Sequence, residues 1–330
     1  MKFGTIGTSW ITDSFIEAAK KSGKLFFEGA YSRSEEKAKT FTGKHGGRQW
    51  FASIEDLAES SEIDAVYVAS PNSLHYEQVK VLLRGGKHVI CEKPMFMTVK
   101  ECDDAFALAE KEDVFLFEAI RNIQTPVFRR LKEELPRAGT IRSGFLHLIQ
   151  YSSRYDKFLD GKVANVFSPE YAGGALEDLG VYPLYAAVDL FGAPLESVYY
   201  PVKLSNGIDG SGTLILQYDG FVCTILCSKI AHSQVPSEIH GEKGTLRINS
   251  SSDISQLEWM DAHTKKTEVV ASHPSDNDKV FEIVRFADVI ENHDMEEYRR
   301  LKGLSRQVLE IMEKVRKEKG ILFPSDEDEI

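Results

Sequence analysis

Short apolar segments alternate with amphipathic segments along the first third of the chain. The apolar segments predict strands at 2–6, 25–31, 49–51, 65–69, 88–91 and 114–117. The segments between them predict helices at 13–22, 34–42, 53–60, 75–84 and 98–111. Segment 65–69 is apolar at almost every position, which is typical of a strand covered on both faces. This regular alternation predicts an α/β fold, a doubly wound parallel sheet with helices on both faces.

The pattern changes after about residue 120, where longer strands follow one another with few helices between them. Strands are predicted at 141–151, 197–204, 212–218, 221–230 and 245–249, and helices at 125–135, 181–190, 279–292 and 295–318. Asp219-Gly220 between two strands indicates a tight hairpin turn. This part therefore predicts an α+β domain on a large, mainly antiparallel open sheet. We place the domains at 1–120 and 121–330.

Composition excludes several classes of protein. The 330 residues are 42% hydrophobic and 28% charged, as in soluble globular proteins, and no apolar run reaches the ~20 residues that cross a bilayer. The net charge of −11 without a basic run argues against nucleic-acid binding. The four cysteines form no CxxC pair and fit buried thiols in a reducing, cytoplasmic compartment. The acidic run 326–329 is expected to be solvated.

The first strand is followed by Gly7-Thr8-Ser9-Trp10-Ile11-Thr12, where a dinucleotide-binding protein carries GxGxxG. Only the first glycine is present, because Ser9 and Thr12 occupy the other two positions. A helix beginning here offers N–H groups and a positive dipole end to a phosphate. A purely structural turn is the alternative interpretation.

The end of the second strand indicates which dinucleotide is preferred. An NAD site usually has an acid there for the ribose 2′-hydroxyl. This chain has Ser32 and Arg33, with Lys37 one turn later, and Glu28 precedes the strand end. A guanidinium can hold a 2′-phosphate with two hydrogen bonds. The segment favours NADP, with NAD possible; a solvated helix start is the alternative.

Two further strands end in polar segments at the same predicted edge of the sheet. The fourth is followed by Ser70-Pro71-Asn72 and His75, and the fifth by Glu92-Lys93-Pro94. Doubly wound folds bind ligands at this edge. Lys93, held by the proline that follows it, is a candidate catalytic cation, and the neighbouring residues are candidates for cofactor binding. Each segment alone could equally be a capped turn.

Together these motifs resemble the Gfo/Idh/MocA family, which includes glucose–fructose oxidoreductase, inositol dehydrogenase and dimeric dihydrodiol dehydrogenases. The resemblance also rests on Glu118-Ala119, on the segment 173–183 (GGALEDLGVYP) and on the segment 241–246 (GEKGTL). It implies a dinucleotide-binding Rossmann domain over 1–120. It implies a substrate-binding and oligomerisation domain over 121–330, with hydride transfer between a nicotinamide and a carbon that bears oxygen.

The resemblance also implies site residues. Lys93 matches the catalytic lysine of the family, and Tyr182 matches a position that is tyrosine in the glucose–fructose and dihydrodiol branches. A free tyrosine has a pKa near 10, and a nearby ammonium favours the phenolate. We therefore expect Tyr182 to transfer the proton and Lys93 to favour the phenolate form of Tyr182, if the two domains meet at a cleft. Asp178, one helical turn before Tyr182, could orient Lys93 or bind a substrate hydroxyl. A capping Asp178 and a packed Tyr182 are the alternatives.

The candidate substrate-binding residues are Asn122, which follows the expected domain junction, and Arg154, Asn165 and Phe167 of a polar loop. They predict a polyhydroxylated substrate, although such a loop can be merely solvated. We predict a cytoplasmic oxidoreductase acting on a CH–OH or C=O carbon of a sugar-like or cyclic diol substrate. The alternative is a non-catalytic dinucleotide-binding regulator. No histidine spacing indicates a metal, and an open sheet face would favour a homodimer or homotetramer.

Overall fold

The first 120 residues of the computed structural model, which describes residues 1–273 and 277–329, form a six-stranded parallel sheet. The strands are β1 (Lys2–Ile6), β2 (Phe26–Tyr31), β3 (Gln49–Phe51), β4 (Ala65–Val68), β5 (His88–Glu92) and β6 (Leu116–Ala119). Their order is β3-β2-β1-β4-β5-β6. All four residues of β4 are buried, as predicted for a central strand. The doubly wound α/β prediction is confirmed.

The helices between these strands begin at capping residues. They are α1 (Trp10–Ser22), α2 (Glu35–His45), α3 (Ile54–Glu59), α4 (His75–Arg84) and α5 (Val99–Lys111). Ser34 and Ser53 accept hydrogen bonds from the backbone N–H groups of Lys37 and Asp56. Thr98 forms a reciprocal capping box with Glu101. Side-chain oxygens satisfy N–H groups that the first turn of a helix leaves without partners, which fixes where these helices start.

Two C-terminal helices, α9 (Lys279–Asn292) and α10 (Met295–Glu318), supply further parts of this unit. The compact unit consists of residues 1–120 together with 277–306. Phe117 of β6 stacks on Phe286 of α9, with ring centroids 4.6 Å apart, and Tyr298 of α10 lies edge-on to Phe115 at 4.9 Å. We assigned only residues 1–120 to the first unit. The unit also contains residues 277–306, because aromatic residues of both segments share one core.

The second unit, residues 121–273 and 307–329 of the described chain, is built on an eight-stranded sheet. Its strands are β7 (Ile141–Ile149), β8 (Glu196–Lys203), β9 (Asp209–Tyr218), β10 (Phe221–Ser228), β11 (Ser237–Gly241), β12 (Gly244–Ile248), β13 (Gln256–Asp261) and β14 (Thr267–Ser272). Their order is β14-β13-β12-β11-β7-β10-β9-β8, antiparallel except for the β7–β10 pair. The predicted hairpin is confirmed, with Gly220 at φ +81°.

The two faces of this sheet differ in burial. One face is buried and includes Leu216, Cys223, Ile239, Leu246 and Trp259. Helix α8 (Val181–Phe191) packs against β7 and β10, and α6 (Pro126–Glu134) packs against β13 and β14; the short helix α7 (Tyr155–Leu159) lies between β7 and α8 in the chain. The opposite face carries partly exposed side chains in each of its central strands. The prediction of an open, mainly antiparallel sheet is confirmed.

The acidic C-terminal segment is not solvated as a whole, which corrects our expectation. Asp326 is only 6% exposed and accepts two hydrogen bonds from Arg316, at 2.5 and 2.8 Å. The Arg316 guanidinium also lies 4.5 Å from the centroid of the Phe323 ring. Charge alone suggested a solvated tail, but a guanidinium on α10 draws this carboxylate into the interior of the unit.

All four cysteines are buried free thiols, and burial raises the pKa of Cys223 to about 12. They therefore pack as small apolar side chains at neutral pH. None of the helices in the described parts of the chain is long and apolar enough to cross a membrane.

Candidate active site

The turn after β1 has the shape of a phosphate-binding turn despite its unusual sequence. Gly7 has φ +108°, and a Cβ there would lie 2.8 Å from the carbonyl oxygen of Ala69. Helix α1 begins at Trp10, three residues earlier than predicted, and its N-cap Ser9 makes no side-chain capping hydrogen bond. The first N–H groups of α1 thus have neither an intrahelical acceptor nor a side-chain cap. These features fit a phosphate at this helix N-terminus.

The other residues of this turn divide between surface and interior. Trp10 is 72% exposed, whereas Thr8 and Ile11 are partly exposed. Thr12 is fully buried, and its hydroxyl oxygen lies 3.5 Å from the position that a Cβ on Gly7 would take. Thr12 therefore packs behind the turn, while Ser9 and Trp10 face solvent.

The end of β2 presents cations rather than the acid of a typical NAD site. Arg33 and Lys37 are exposed, and neither side chain forms an ion pair with any residue that the structure describes. The backbone N–H of Ser32 donates to Phe51, at 3.4 Å, which ties this end to β3. Glu28 is buried three residues before the strand end, about 10 Å away at the usual rise per residue. This arrangement fits a ribose 2′-phosphate better than a free 2′-hydroxyl.

His75, a predicted cofactor-binding residue, braces the polar turn after β4. It is fully buried. Its Nε2 lies 2.9 Å from the carbonyl oxygen of Ser70, and its Nδ1 lies 3.2 Å from the carbonyl oxygens of Pro94 and Met95. Burial lowers the pKa of His75, against the opposing effect of these carbonyls. With both ring nitrogens engaged by backbone, His75 holds two turns together, while Pro71 and Asn72 remain partly exposed.

The segment that carries Lys93 is fixed by hydrogen bonds on both sides. One carboxylate oxygen of Glu92 accepts the hydroxyl of Tyr67, and the other accepts the backbone N–H of Lys93 at 3.3 Å. Beyond the cis Lys93–Pro94 bond, the N–H of Met95 donates to Glu118 at 3.1 Å. Glu92 thus acts mainly on its own turn, and the Lys93 side chain starts from a rigid backbone.

In the second unit, a π-helical turn, Leu176–Gly180, leads directly into α8. The N–H of Val181 reaches back five residues to the carbonyl of Leu176, so the turn holds one residue more than an α-helical turn. Tyr182 lies in the first turn of α8 and is 9% exposed. The guanidinium of Arg121 lies 5.6 Å from the centroid of its ring. Single π turns inside helices are frequent at functional sites.

Asn122, a predicted substrate-binding residue, supports Tyr182 from within the unit. Asn122 is fully buried, and its amide group donates to the carbonyl oxygens of Tyr182, at 2.9 Å, and Ser251, at 2.8 Å. The sequence placed Asn122 beside the domain junction but carried no signal of its burial.

Asp178 pairs with a lysine that the sequence analysis did not identify. The ammonium of Lys229 donates to Oδ2 of Asp178, and Lys229 is 1% exposed. The Asp178 side chain, in contrast, is 33% exposed. Lys229 directly follows the apolar strand β10, and a single lysine at a strand end gave no pattern from which to predict this contact.

A second buried carboxylate holds the start of the π turn. Asp209 accepts hydrogen bonds from the N–H of Leu176, at 2.7 Å, and from the hydroxyl of Tyr199, at 2.5 Å. Burial raises the pKa of Asp209, with these hydrogen bonds opposing it. A Cβ on Gly174, at φ +136°, would lie 2.2 Å from Oδ1 of Asp209, so only glycine allows this approach.

The loop before the π turn keeps two of its three candidate substrate residues at the surface. Arg154 and Asn165 are exposed. Phe167 is fully buried and packs against Phe158, with ring centroids 5.4 Å apart, and its assignment to the substrate stays a prediction. Its aromatic ring stabilises the loop from inside. Among the described residues, no group of three or more His, Cys, Asp or Glu side chains is placed to hold a metal ion.

Comparison with known proteins identifies the family. The family model described as "Oxidoreductase family, NAD-binding Rossmann fold" matches residues 1–120, and the GFO/IDH/MocA C-terminal domain matches residues 134–247. Scyllo-inositol 2-dehydrogenase (NADP(+)) IolU of Bacillus subtilis is 39% identical over 99% of both chains. The chain belongs to the Gfo/Idh/MocA family of oxidoreductases. Its Gly7 and Lys93 turns lie in the part matched by the NAD-binding model, and Asp178, Tyr182 and Lys229 lie in the part matched by the C-terminal model.

Other relatives of this Gfo/Idh/MocA protein agree with the assignment. Trans-1,2-dihydrobenzene-1,2-diol dehydrogenase of Xenopus tropicalis is 33% identical over 76% of this chain and 75% of its own. A crystal structure of KijD10, a 3-ketoreductase from Actinomadura kijaniata in complex with NADP and TDP-benzene, superposes with a TM-score of 0.84. It is 24% identical, over 96% of this chain and 97% of that one, and supports the fold.

Proposed function

We propose that this protein is an NADP-preferring dehydrogenase that oxidises a secondary alcohol of a cyclic polyol and reduces the corresponding ketone. The observation that carries the proposal is the 39% identity, over 99% of both chains, to an NADP-dependent scyllo-inositol 2-dehydrogenase. The dihydrodiol dehydrogenase relatives also act on a ring that bears neighbouring hydroxyl groups. A sugar-like ring is the broader substrate class.

The residues of the first unit suit NADP. The turn formed by Gly7, Thr8, Ser9, Trp10 and Ile11 would hold the pyrophosphate at the N-terminus of α1. Exposed Arg33 and Lys37, with Ser32, would hold the 2′-phosphate. The segment Ser70-Pro71-Asn72 and the Glu92-Lys93 turn end neighbouring parallel strands, at the edge where such sheets bind ligands. NAD lacks the 2′-phosphate, so it would lose the contacts with Arg33 and Lys37 and bind less tightly.

The chemistry requires one proton transfer and one hydride transfer. The bound nicotinamide supplies the hydride acceptor for oxidation and the hydride donor for reduction. Tyr182 takes the hydroxyl proton as the C–H bond breaks and returns it in the reverse direction. Lys93 polarises the substrate oxygen. Asp178 accepts a hydrogen bond from a neighbouring substrate hydroxyl, and the exposed residues Arg154 and Asn165 contact outer hydroxyl groups.

The test is a panel of inositols, other cyclic polyols and sugars, with NADP⁺ and NAD⁺ supplied separately and nicotinamide absorbance recorded. We expect turnover of at least one cyclic polyol, with a higher kcat/KM for NADP⁺. Lys93→Met and Tyr182→Phe should each lower kcat by about 10²–10⁴-fold, the usual contribution of a positioned acid–base group. Both variants should retain NADPH binding, measured by fluorescence titration.

Lys132→Met is the matched control. This lysine of the second unit has an exposed side chain that pairs with Asp189 at 2.8 Å, it lies outside the candidate site, and its loss should leave turnover unchanged. Near-normal kcat in Lys93→Met or Tyr182→Phe would refute the catalytic assignment. NADPH binding without turnover of any substrate in the panel would favour the alternative, a dinucleotide-binding regulator.

We propose further that the protein acts in the cytoplasm as a homodimer or homotetramer joined through the open sheet of the second unit. A row of directly paired residues crosses that face. It begins with Val198, Ile215, Thr224 and Phe145 and continues with Glu238, Arg247 and Glu258. The first four are half-buried and mostly apolar, which suits a protein interface. A second copy would cover them in a closed symmetric assembly.

A further inference from the structure

A buried lysine in the second unit has no role in the chemistry described so far. Lys229 is 1% exposed, and both of its main-chain groups are fixed. Its N–H donates to the carbonyl of Gly210, and its carbonyl accepts the N–H of Ser152, each at 2.8 Å. Its ammonium lies 5.2 Å from the centroid of the Phe167 ring and donates to Asp178. The side chain is thus held in one place, with its charge directed at the π turn.

The two charged groups of this pair, the Lys229 ammonium and the Asp178 carboxylate, differ in their exposure to solvent. The ammonium is enclosed, so a substrate cannot contact it, whereas a third of the Asp178 side chain is exposed. Asp178 is therefore the group through which Lys229 acts most directly on a bound substrate, and Lys229 also lowers the pKa of the buried Asp209. An enclosed lysine also carries a large desolvation cost, and an apolar side chain could fill the same space against Phe167 without that cost. A charge buried at this cost points to a function beyond packing.

We propose that Lys229 is a positioning residue of the oxidoreductase reaction: it keeps Asp178 ionised and fixes one of its oxygens, so that Asp178 accepts a hydrogen bond from a substrate hydroxyl. This inference rests on the proposed dehydrogenase function. An opposite charge in hydrogen-bond contact favours the carboxylate over the protonated acid. A protonated Asp178 would be a weaker acceptor and would carry a donor on one of its two oxygens. Lys229 thereby selects substrates with a hydroxyl donor at this position.

Other ionisable groups lie around the same turn. Their titration has to be distinguished from the effect of Lys229 on Asp178. They are Asp209 with its partner Tyr199, Glu177 with its partner Arg316, Cys227 of β10, and Tyr182 one turn later. Asp209 is bonded to the turn backbone, and Glu177 lies 3.8 Å from Arg316. Lys229 also favours the ionised form of Asp209. The Asp178→Asn background keeps that effect, so a change that disappears in that background is specific to the pair of Asp178 and Lys229.

The experiment compares Lys229→Gln with the wild type and with Lys229→Arg, which keeps the positive charge. We expect Lys229→Gln to lower kcat/KM for the polyol about 10- to 100-fold at neutral pH, the usual effect of losing a hydrogen bond to a charged group. The acidic limb of its pH profile should move up by about 1–3 pH units, since Asp178 loses its counter-charge. In Lys229→Arg, and in the Lys132→Met control, the acidic limb of the pH profile should stay where it is in the wild type.

Asp178→Asn completes a double-mutant cycle with Lys229→Gln. If Lys229 acts through Asp178, the double variant Asp178→Asn/Lys229→Gln should be no slower than Asp178→Asn alone. A merely structural lysine would give additive losses, the same at every pH, and would overturn the inference. So would a loss in Lys229→Gln without a shifted acidic limb.

A measurement that does not use turnover separates this inference from the proposed function. Isotope-edited infrared titration, with Asp178→Asn as the reference, reports the protonation of the Asp178 carboxyl directly. We expect protonation at higher pH in Lys229→Gln than in the wild type. An unshifted titration in an active enzyme would overturn the role of Lys229 and leave the dehydrogenase intact. Absence of turnover in the wild type together with a shifted titration would refute the dehydrogenase, while the charge pairing would stand.

Discussion

At the scale of single residues, burial separates side chains that act on a ligand from side chains that hold others in place. Arg33, Arg154 and Asn165 keep exposed surface, whereas Asn122 and Phe167 have none. All of these are polar or aromatic residues in turns or loops, which is why sequence alone grouped them together. What distinguishes them is the environment that distant segments provide. Ser251, for example, reaches Asn122 from 129 residues along the chain.

Asn122 offers a test of this distinction. Asn122→Ala removes two buried hydrogen bonds to backbone carbonyls, and we expect a loss of roughly 1–3 kcal/mol in the free energy of unfolding. The lost support of Tyr182 should lower kcat more than it raises KM. Urea unfolding and steady-state kinetics check both expectations.

Asn292→Ala is the control for that variant, because Asn292 makes one amide-to-backbone bond, 2.9 Å long, at an exposed helix end. It should change stability by no more than about 0.5 kcal/mol. A fully stable Asn122→Ala enzyme with raised KM and normal kcat would instead mean that Asn122 binds substrate directly.

At the scale of elements, the sequence predicted most of the first sheet and its helices because the local signals agree with one another. Ser34, Ser53 and Thr98 lie at helix starts, and each forms the capping bond that its position suggested. The strands β11, β13 and β14 were missed. They are short, each contains polar or charged residues, and their pairing depends on partners elsewhere in the sheet.

The π turn could not be predicted from sequence either. The segment 173–183 indicated a helix, but the additional residue in its first turn is set by tertiary contacts. Asp209 approaches at Gly174 and bonds the N–H of Leu176. The sequence therefore placed Asp178 and Tyr182 in the right segment, and only the structure connects Asp178 to Lys229.

The segment after α10 leads to a prediction about pH. Burial works against ionisation of Asp326, but hydrogen bonds from Arg316 and the N–H of Phe323 outweigh it, so the pKa of Asp326 falls below 3.8. A carboxyl whose pKa is lower in the folded state stabilises the protein above the unfolded-state pKa, and this contribution is lost as the pH falls through the folded-state pKa. Asp326→Asn should therefore be about 3–5 kcal/mol less stable at pH 7.

The difference between wild type and Asp326→Asn should shrink as the pH falls below 3.8. Chemical denaturation at a series of pH values measures it, with Asp294→Asn, at an exposed position, as the control. A difference that stays constant down to the lowest pH at which the protein folds would contradict the assignment.

At the scale of the whole molecule, the open sheet face leads to a prediction about assembly. Ile215 lies in the middle of the half-buried apolar row, between Val198 and Thr224. If that row is covered by a second copy, Ile215→Lys would bury an unpaired ammonium there and dissociate the assembly. Light scattering coupled to size-exclusion chromatography should then show the mass of a single chain.

Leu159→Lys is the control for this variant, since Leu159 is 64% exposed at the end of α7 and belongs to no strand of the sheet. It should keep the mass of the wild type. An unchanged mass for Ile215→Lys would exclude this face as the interface, and a wild type with the mass of one chain would exclude the assembly.

The discontinuous composition of the first unit has a consequence for synthesis of the protein. Phe286 and Tyr298, which complete the aromatic core beside β6, lie more than 160 residues after it in the chain. A ribosome that has released only the first 120 residues has therefore produced a nucleotide-binding sheet with an unfinished apolar surface. That surface stays open to chaperones until translation passes residue 306, so the nascent chain has to be protected for most of its elongation.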